Sequence, residues 1–435
     1  MRTTTIPPIK EDFLHYVWQM KQFNATDLQT TDGRALQIID AGKLNPNAGP
    51  DFLNAKIQLD DLTWHGNIEM HVSPQDWAAH QHGNDPSYKS VILHVVFDAW
   101  EQQTDPDADW GKLPTLCLRD RIPQNLINRY WQLQNNAHWI PCQAHLSAVG
   151  ELTKSAWLDR LLLERLTRRG RDIKTALDQN KGNWEETFWQ FLAQNFGANV
   201  NAQPFEWLAR ATPNLLLSKN RHSLFQIEAL LFGQSGLLAE TDFVDEYPQK
   251  LQKEYAFLQK KYNLSPISAT VWKFSRLRPA NFPTVRLAQL AALVMKSTNL
   301  FAQILEMESV ETLRKMFDLQ VSEYWHSHYR LDKSSVFKQK QMGNDTISLL
   351  AINLVTPFLY AYGELHDDEK YIKRAFRFVE TVSAENNNVI ENWKNLNWVA
   401  QSAAESQGLL ELKKHYCSEK RCLHCAIGHA ILKNN

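Results

Sequence analysis

Long apolar runs, cysteine and an excess of charge of either sign are all scarce in this sequence, and each scarcity excludes something. No run of about 18 apolar residues stands out, so no membrane-spanning segment is expected. The opening MRTTTIPPIKEDF lacks the apolar core of a secretory signal. Lys and Arg number 47 against 48 Asp and Glu, a formal net charge of −1, so no global field draws the chain to nucleic acid or to an anionic membrane. Five cysteines in 435 residues do not make a disulfide framework, and the expected compartment is the cytoplasm. Phosphate-loop, dinucleotide-fingerprint, G-x-S-x-G and H-E-x-x-H motifs are missing. Their absence argues against a nucleotide-powered motor, a dinucleotide oxidoreductase, a common serine hydrolase and a zincin.

What is present is the composition of a globular protein, 43% hydrophobic and 22% charged, long enough for two or three domains. Charge is mildly partitioned. Residues 1–150 hold 11 basic and 17 acidic side chains, a net of −6, and the remainder holds 36 and 31, a net of +5.

Periodicity divides the chain more sharply. EDFLHYVWQM (11–20) has helical spacing; ALQIIDAG (35–42), DFLNAKIQLDD (51–61) and LTWHGNIEMHV (62–72) read as strands, the last two joined by a turn at Asp60-Asp61. SPQDWAAH (73–80) reads as a short helix, and SVILHVVFDAW (90–100), apolar and β-branched, as a buried strand. After residue 120, segments such as WEETFWQFLAQNFG, LAQLAALVMK and ISLLAINLVTPFLYAYGEL repeat apolar residues at three-and-four spacing. The expected fold is α+β: an α/β domain over 1–120, an all-α domain over 121–410, and a cysteine-rich segment over 411–435.

The chemistry of the front concentrates at Asp51 and at Glu69-Met70-His71. Asp51 opens one strand, while Glu69 and His71 lie near the end of the next and share a face. A short hairpin between these strands brings the start of one beside the end of the other. Two carboxylates and an imidazole then meet where a divalent cation fits, Mg²⁺ or Mn²⁺ for oxygen donors. The bland alternative is that Asp51 caps the turn after Gly49-Pro50 and that Glu69 and His71 form an exposed strand face. His65, His80, His82 and His94 are near in sequence. His80 and His82, with Asp85, either extend a metal site or sit on a solvated loop. His94, in an apolar strand, reads first as a hydrogen-bonded core histidine.

These residues and this element order resemble the PD-(D/E)XK nucleases. The resemblance covers about the first 100 residues and implies a restriction-endonuclease-like α/β domain. It implies Asp51 and Glu69 as metal ligands, with the Met70 carbonyl a further one, and His71 in the place of the family's catalytic Lys. It also implies Glu11 as an acidic residue contributed by the first helix. Metal-dependent cleavage of phosphodiester bonds in nucleic acid is the implied activity. The departure at His71 leaves open a catalytically inactive nucleic-acid-binding or scaffold protein, or a metal hydrolase of another substrate class using His71, His80 and His82. The whole chain is also similar, through NPNAGPDFLNAKI, GNIEMHV and CLHCAIG, to an uncharacterised bacterial family.

Two further constellations stand out. Cys417, Cys422 and Cys425 form C-x4-C-x2-C, the spacing of a zinc or iron–sulfur site lacking a fourth ligand. Cys142 is the preferred fourth, with His415, His424 and His429 as rivals, and Cys117 is expected in the core. Some nuclease-superfamily members clamp an iron–sulfur cluster with one upstream and three downstream cysteines, an arrangement similar to this one except that here the upstream cysteine follows the nuclease-like core. Lys273, Arg276, Arg278 and Arg286, interleaved with Trp272, Phe274 and Phe282, suit a nucleic-acid backbone. Arg165, Arg168, Arg169 and Arg171 add a second basic segment. Surface ion pairs and aromatic core packing are the ordinary alternatives.

Overall fold

The computed structural model describes residues 8–82, 85–98, 113–239 and 242–433. The chain forms two compact units, one of residues 1–157 with 412–435 and the other of 158–411. The C-terminal cysteine segment therefore folds with the N-terminal sheet.

The first unit begins with helix α1 (Glu11–Gln19), whose Phe13, Leu14, Val17 and Trp18 are buried. Seven strands follow: β1 (Leu28–Gln29), β2 (Ala35–Asp40), β3 (Lys43–Leu44), β4 (Phe52–Leu59), β5 (Leu62–His71), β6 (Val91–Val96) and β7 (Thr115–Cys117). The sheet order is β1-β2-β4-β5-β6-β7, with β3 pairing to β4. Strands β2, β4 and β5 are antiparallel, whereas β5, β6 and β7 run parallel. A short helix α2 (Asp76–Ala79) and a 3₁₀ turn (Pro86–Ser90) make the crossover from β5 to β6. All six residues of β6 are buried, as its apolar run predicts for a parallel strand covered on both faces. The end of the 90–100 strand segment, residues 99 and 100, lies outside the described residues. Asp60 adopts φ 52° in the two-residue turn between β4 and β5. Helix α3 (Gln124–Asn135) completes the sequence before the tail returns.

The second unit is helical. It comprises most of α4 (Glu151–Gln179), α5 (Trp184–Phe196), α6 (Ala198–Ala211) and further helices through Ala403–Leu412. It is not purely α: β8 (His328–Arg330) and β9 (Lys333–Ser334) form a small hairpin. The apolar segment around 347–365 lies in one continuous helix, Asn344–His366, with a π-helical turn at Ala351–Val355. By length and composition this helix is long and apolar enough to cross a membrane, contrary to the expectation that no segment would be. However, 72% of its apolar window is buried within the fold, where Leu354, Phe358 and Leu359 join the core of the unit.

Candidate metal centre

Strand alternation does the first part of the work. Ile68 and Met70 point to one face of β5, Glu69 and His71 to the other. Because neighbouring elements cover both faces, Glu69 is only 5% exposed and His71 only 1%. A buried carboxylate beside a buried imidazole is costly unless something compensates it.

Asp51 arrives as expected, through a braced loop. The Asn45 side chain donates to the carbonyls of Ala48 and Pro50, and the Asn45 N–H donates to the Asp51 carbonyl at 2.7 Å. A bulge in β4 between Phe52 and Ala55, with Asn54 at φ 59°, turns the strand start toward β5. The two acids then bind each other's backbone: the Asp51 N–H donates to Glu69 Oε2 at 3.1 Å, and the Met70 N–H donates to Asp51 Oδ2 at 2.9 Å. Asp51 Oδ2 also lies 3.3 Å from His15 Nε2 on α1.

The loop histidines converge on the same spot. His71 Nε2 lies 3.2 Å from His80 Nδ1 and 3.6 Å from Glu69 Oε1, and His82 Nε2 lies 3.2 Å from Glu69 Oε1. One nitrogen from each of His71, His80 and His82 lies within 4.8 Å of the other two. Four ligands around one ion at metal–nitrogen distances of about 2.1 Å stand about 3.4 Å apart in a tetrahedron. The three shortest separations fall around that value. His94, fully buried, places Nε2 2.9 Å from His71 Nδ1. A proton on His71 Nδ1 shared with His94 leaves the lone pair of Nε2 facing the centre, which is how an outer imidazole fixes the tautomer of a ligand.

Burial, then the Asp51 charge, pushes the Glu69 carboxyl up to about 8. Burial, followed by the surrounding imidazoles led by His94 and His82, lowers His71 to about 2. Burial lowers His94 to about 4, and His82 falls for the same reason. At His15 burial opposes the charged form, but the hydrogen bond and charge of Asp51 outweigh it and raise the imidazole. Burial raises Glu11, which feels His80, Asp51 and His15 and so belongs to this cluster. Neutral imidazoles beside a carboxyl that resists ionisation are a donor set that could hold a cation.

Three contributors escaped the sequence reading. His15 lies one helical turn beyond Glu11, a spacing that would have revealed it. Tyr88 stacks on His82 with ring centroids 3.9 Å apart. Trp77 sits edge-on to both His71 and His82. Of the other histidines, His65 is exposed and pairs across the hairpin with Lys56, away from the cluster.

The four cysteines also assemble. Cys142, Cys417, Cys422 and Cys425 are all buried, and every pair among them interacts electrostatically. Burial, then neighbouring thiols, pushes Cys142 and Cys422 up to about 12 and raises Cys417; Cys425 is raised by burial. Among the described residues, His71, His80 and His82 are the group whose ligand atoms all lie within 4.8 Å of one another, and no three of the sulfurs meet that spacing. Cys117 is half-buried at the end of β7. His429 Nε2 faces the Leu423 carbonyl, and His415 lies 4.0 Å from Glu419.

The basic segments separate. Lys273, Arg276 and Arg278 are exposed, but Arg286 is only 8% exposed and lies off that surface. Trp272 is core, and Arg330 covers the faces of Phe274 and Phe282 at 4.3 and 5.1 Å. Arg168 is bound to Glu411 through both carboxylate oxygens.

Comparison with curated proteins and with solved structures finds no significant match. A nuclease relationship accordingly finds no support there. One family model matches residues 11–388, described as a protein of unknown function (DUF2851). The match takes in α1, the whole sheet and the histidine cluster but stops short of the cysteines of the tail, and the chain is a member of the DUF2851 family.

Proposed function

We propose that the first unit is a metal-dependent hydrolase acting on phosphodiesters, with its ion held by Glu69, His71, His80 and His82. Three imidazole nitrogens within 4.8 Å of one another, with Glu69 Oε1 3.6 Å from His71 and 3.2 Å from His82, carry this reading. Nitrogen-rich donors favour Zn²⁺, Mn²⁺ or Fe²⁺ over Mg²⁺. When bound, such an ion would polarise a phosphoryl oxygen and acidify a water.

The chain supplies the rest. His94 holds the orientation of His71, and Tyr88 and Trp77 wall the histidines. Asp51, anchored through Oδ2, takes the proton of the attacking water as its oxygen bonds to phosphorus. The bond to the leaving oxygen breaks, and that oxygen takes the proton back. Nucleic acid as substrate rests on the resemblance to PD-(D/E)XK nucleases. An inactive nucleic-acid-binding or scaffold protein is the alternative.

The four cysteines are proposed as a second metal site. A single zinc would draw thiolates to about 3.8 Å from one another. Four buried thiols brought together in this way suit either zinc or an iron–sulfur cluster.

The test combines metal analysis of protein purified without chelators with turnover of bis(p-nitrophenyl) phosphate and single-stranded DNA. One ion per chain at this centre, lost in His80→Ala together with at least 100-fold of the activity, is expected. His80 is exposed, so its truncation spares the core. An ion without turnover of either substrate would leave the metal centre standing and sink the hydrolase.

A further inference from the structure

The second unit contains a cavity of about 540 Å³ whose charged lining is strongly unbalanced. Arg165 and Arg169 from α4 and Arg286 from the helix Pro283–Lys296 reach it, opposed by one carboxylate, Glu385. The charged groups on its wall therefore amount to three cations and one anion, a net of +2.

None of these guanidiniums is in a close ion pair, although Glu411 and Glu385 act on Arg165 and Asp172 acts on Arg169 from further away. Among the described residues, none of the three lies within 4.0 Å of a carboxylate, whereas the neighbouring Arg168 takes Glu411. Arg286 donates only to neutral oxygens: Gln289 Oε1 at 3.0 Å, Asn281 Oδ1 at 2.7 Å and Thr346 Oγ1 at 3.2 Å. Arg165 donates to Asn353 Oδ1 at 3.0 Å. Glu385 is itself held by the side-chain amides of Gln407 and Asn387. Burial depresses both Arg165 and Arg286 to about 10, and at Arg165 the neighbouring Arg169 adds to it.

Arg165 and Arg286, held by neutral acceptors with donors to spare, are preorganised for a planar or tetrahedral oxyanion, and Arg169 brings a third cation to the same wall. The volume is that of a small-molecule site. Neither basic sequence segment disclosed this, because each contributes only part of its arginines to the cavity.

We infer that this cavity is a binding site for a small phosphate-bearing ligand, clamped by Arg165, Arg169 and Arg286. This site is independent of the hydrolytic centre proposed for the first unit. Isothermal titration with pyrophosphate, at ionic strength held constant with chloride, tests it. The full-length His80→Ala protein serves as background, so that the first unit contributes no metal-held phosphate. Saturable binding of one pyrophosphate per chain is expected, weakened at least tenfold by Arg165→Gln and by Arg169→Gln. Both arginines are half-buried, and an unchanged circular dichroism spectrum verifies their folding. Absence of binding, or equal affinity in both variants, overturns the inference. So does saturable binding of an oligodeoxythymidine with none of pyrophosphate, which would make the arginines part of a strand-binding track.

Discussion

At the scale of single residues, burial decides which groups matter. Glu228, fully buried in the helix Leu224–Gln234, shows this away from any metal. Burial pushes its carboxyl up to about 7, although hydrogen bonds from Ser322 and Tyr247 pull the other way. The folded form therefore holds a proton between about pH 4.5 and 7 that the unfolded chain releases. Stability is greatest below that window, falls as pH rises through it, and stays lower above. Glu228→Gln, which keeps the acceptor oxygen and carries no charge, is expected to stabilise the protein above pH 7 by up to roughly 3 kcal/mol and to change little at pH 4. Denaturant unfolding at the two pH values checks this, and an equal effect at both would refute it. The histidine cluster obeys the same logic. The sequence shows Glu69 and His71 as strand neighbours on one face, because alternation is a local property. It does not show His80 and His82 joining them, since their placement depends on how the crossover folds back over Trp77. Arg286 went astray for a related reason: its helix is buried on nearly every side, which a positive side chain in the sequence does not announce.

At the scale of elements, the site depends on how β5 and β6 lie together. The parallel register sets Glu69 beside His94 and His71 beside Val96, and His94 in turn orients His71. Gly66 secures this approach: a Cβ there would meet Ile92 Cγ2 at 2.4 Å and the Ser90 carbonyl at 2.5 Å. Gly66→Ala is expected to force the strands apart at their start and to cost about 1–3 kcal/mol of stability. Metal affinity should fall although no ligand is altered. Thermal unfolding and metal titration of the variant measure both, and wild-type values in each would show that the close approach is dispensable. The strands themselves were legible in the sequence: β2, β4, β5 and β6 lie where alternation and apolar runs put them, and the main helices follow their three-and-four spacing. The short pairings β1, β3, β7 and the β8–β9 hairpin were not, because strands of two or three residues carry too little pattern to distinguish from loop.

At the scale of the whole molecule, the chain closes on itself within the first unit. Arg129 of α3 donates to the carbonyls of Ile431 and Leu432, and Gln134 exchanges hydrogen bonds with Lys420. Cys142 meets the three tail cysteines in the same region. Removal of residues 412–435 is expected to destabilise the sheet of this unit, seen as a loss of hydrogen-exchange protection in β5 and β6. Unchanged protection would show the tail to be an appendage. Anaerobically purified full-length protein is expected to carry zinc, or iron and acid-labile sulfide with broad visible absorption, at the four cysteines, lost in Cys142→Ser and retained in Cys117→Ser. A metal content unchanged by Cys142→Ser would contradict the four-cysteine site. The C-x4-C-x2-C spacing was readable from sequence, while the meeting with Cys142 across more than 270 residues is a property of the fold.

The central claim is that three imidazoles and a carboxylate grip one cation. Anomalous diffraction from crystals of the metal-loaded protein, recorded on both sides of the metal's absorption edge, tests it most directly. A single peak within about 2.0–2.2 Å of nitrogens from His71, His80 and His82 and of Glu69 Oε1 is the expected result. A metal-saturated crystal with no peak among those four side chains, or with the ion held elsewhere, would contradict it.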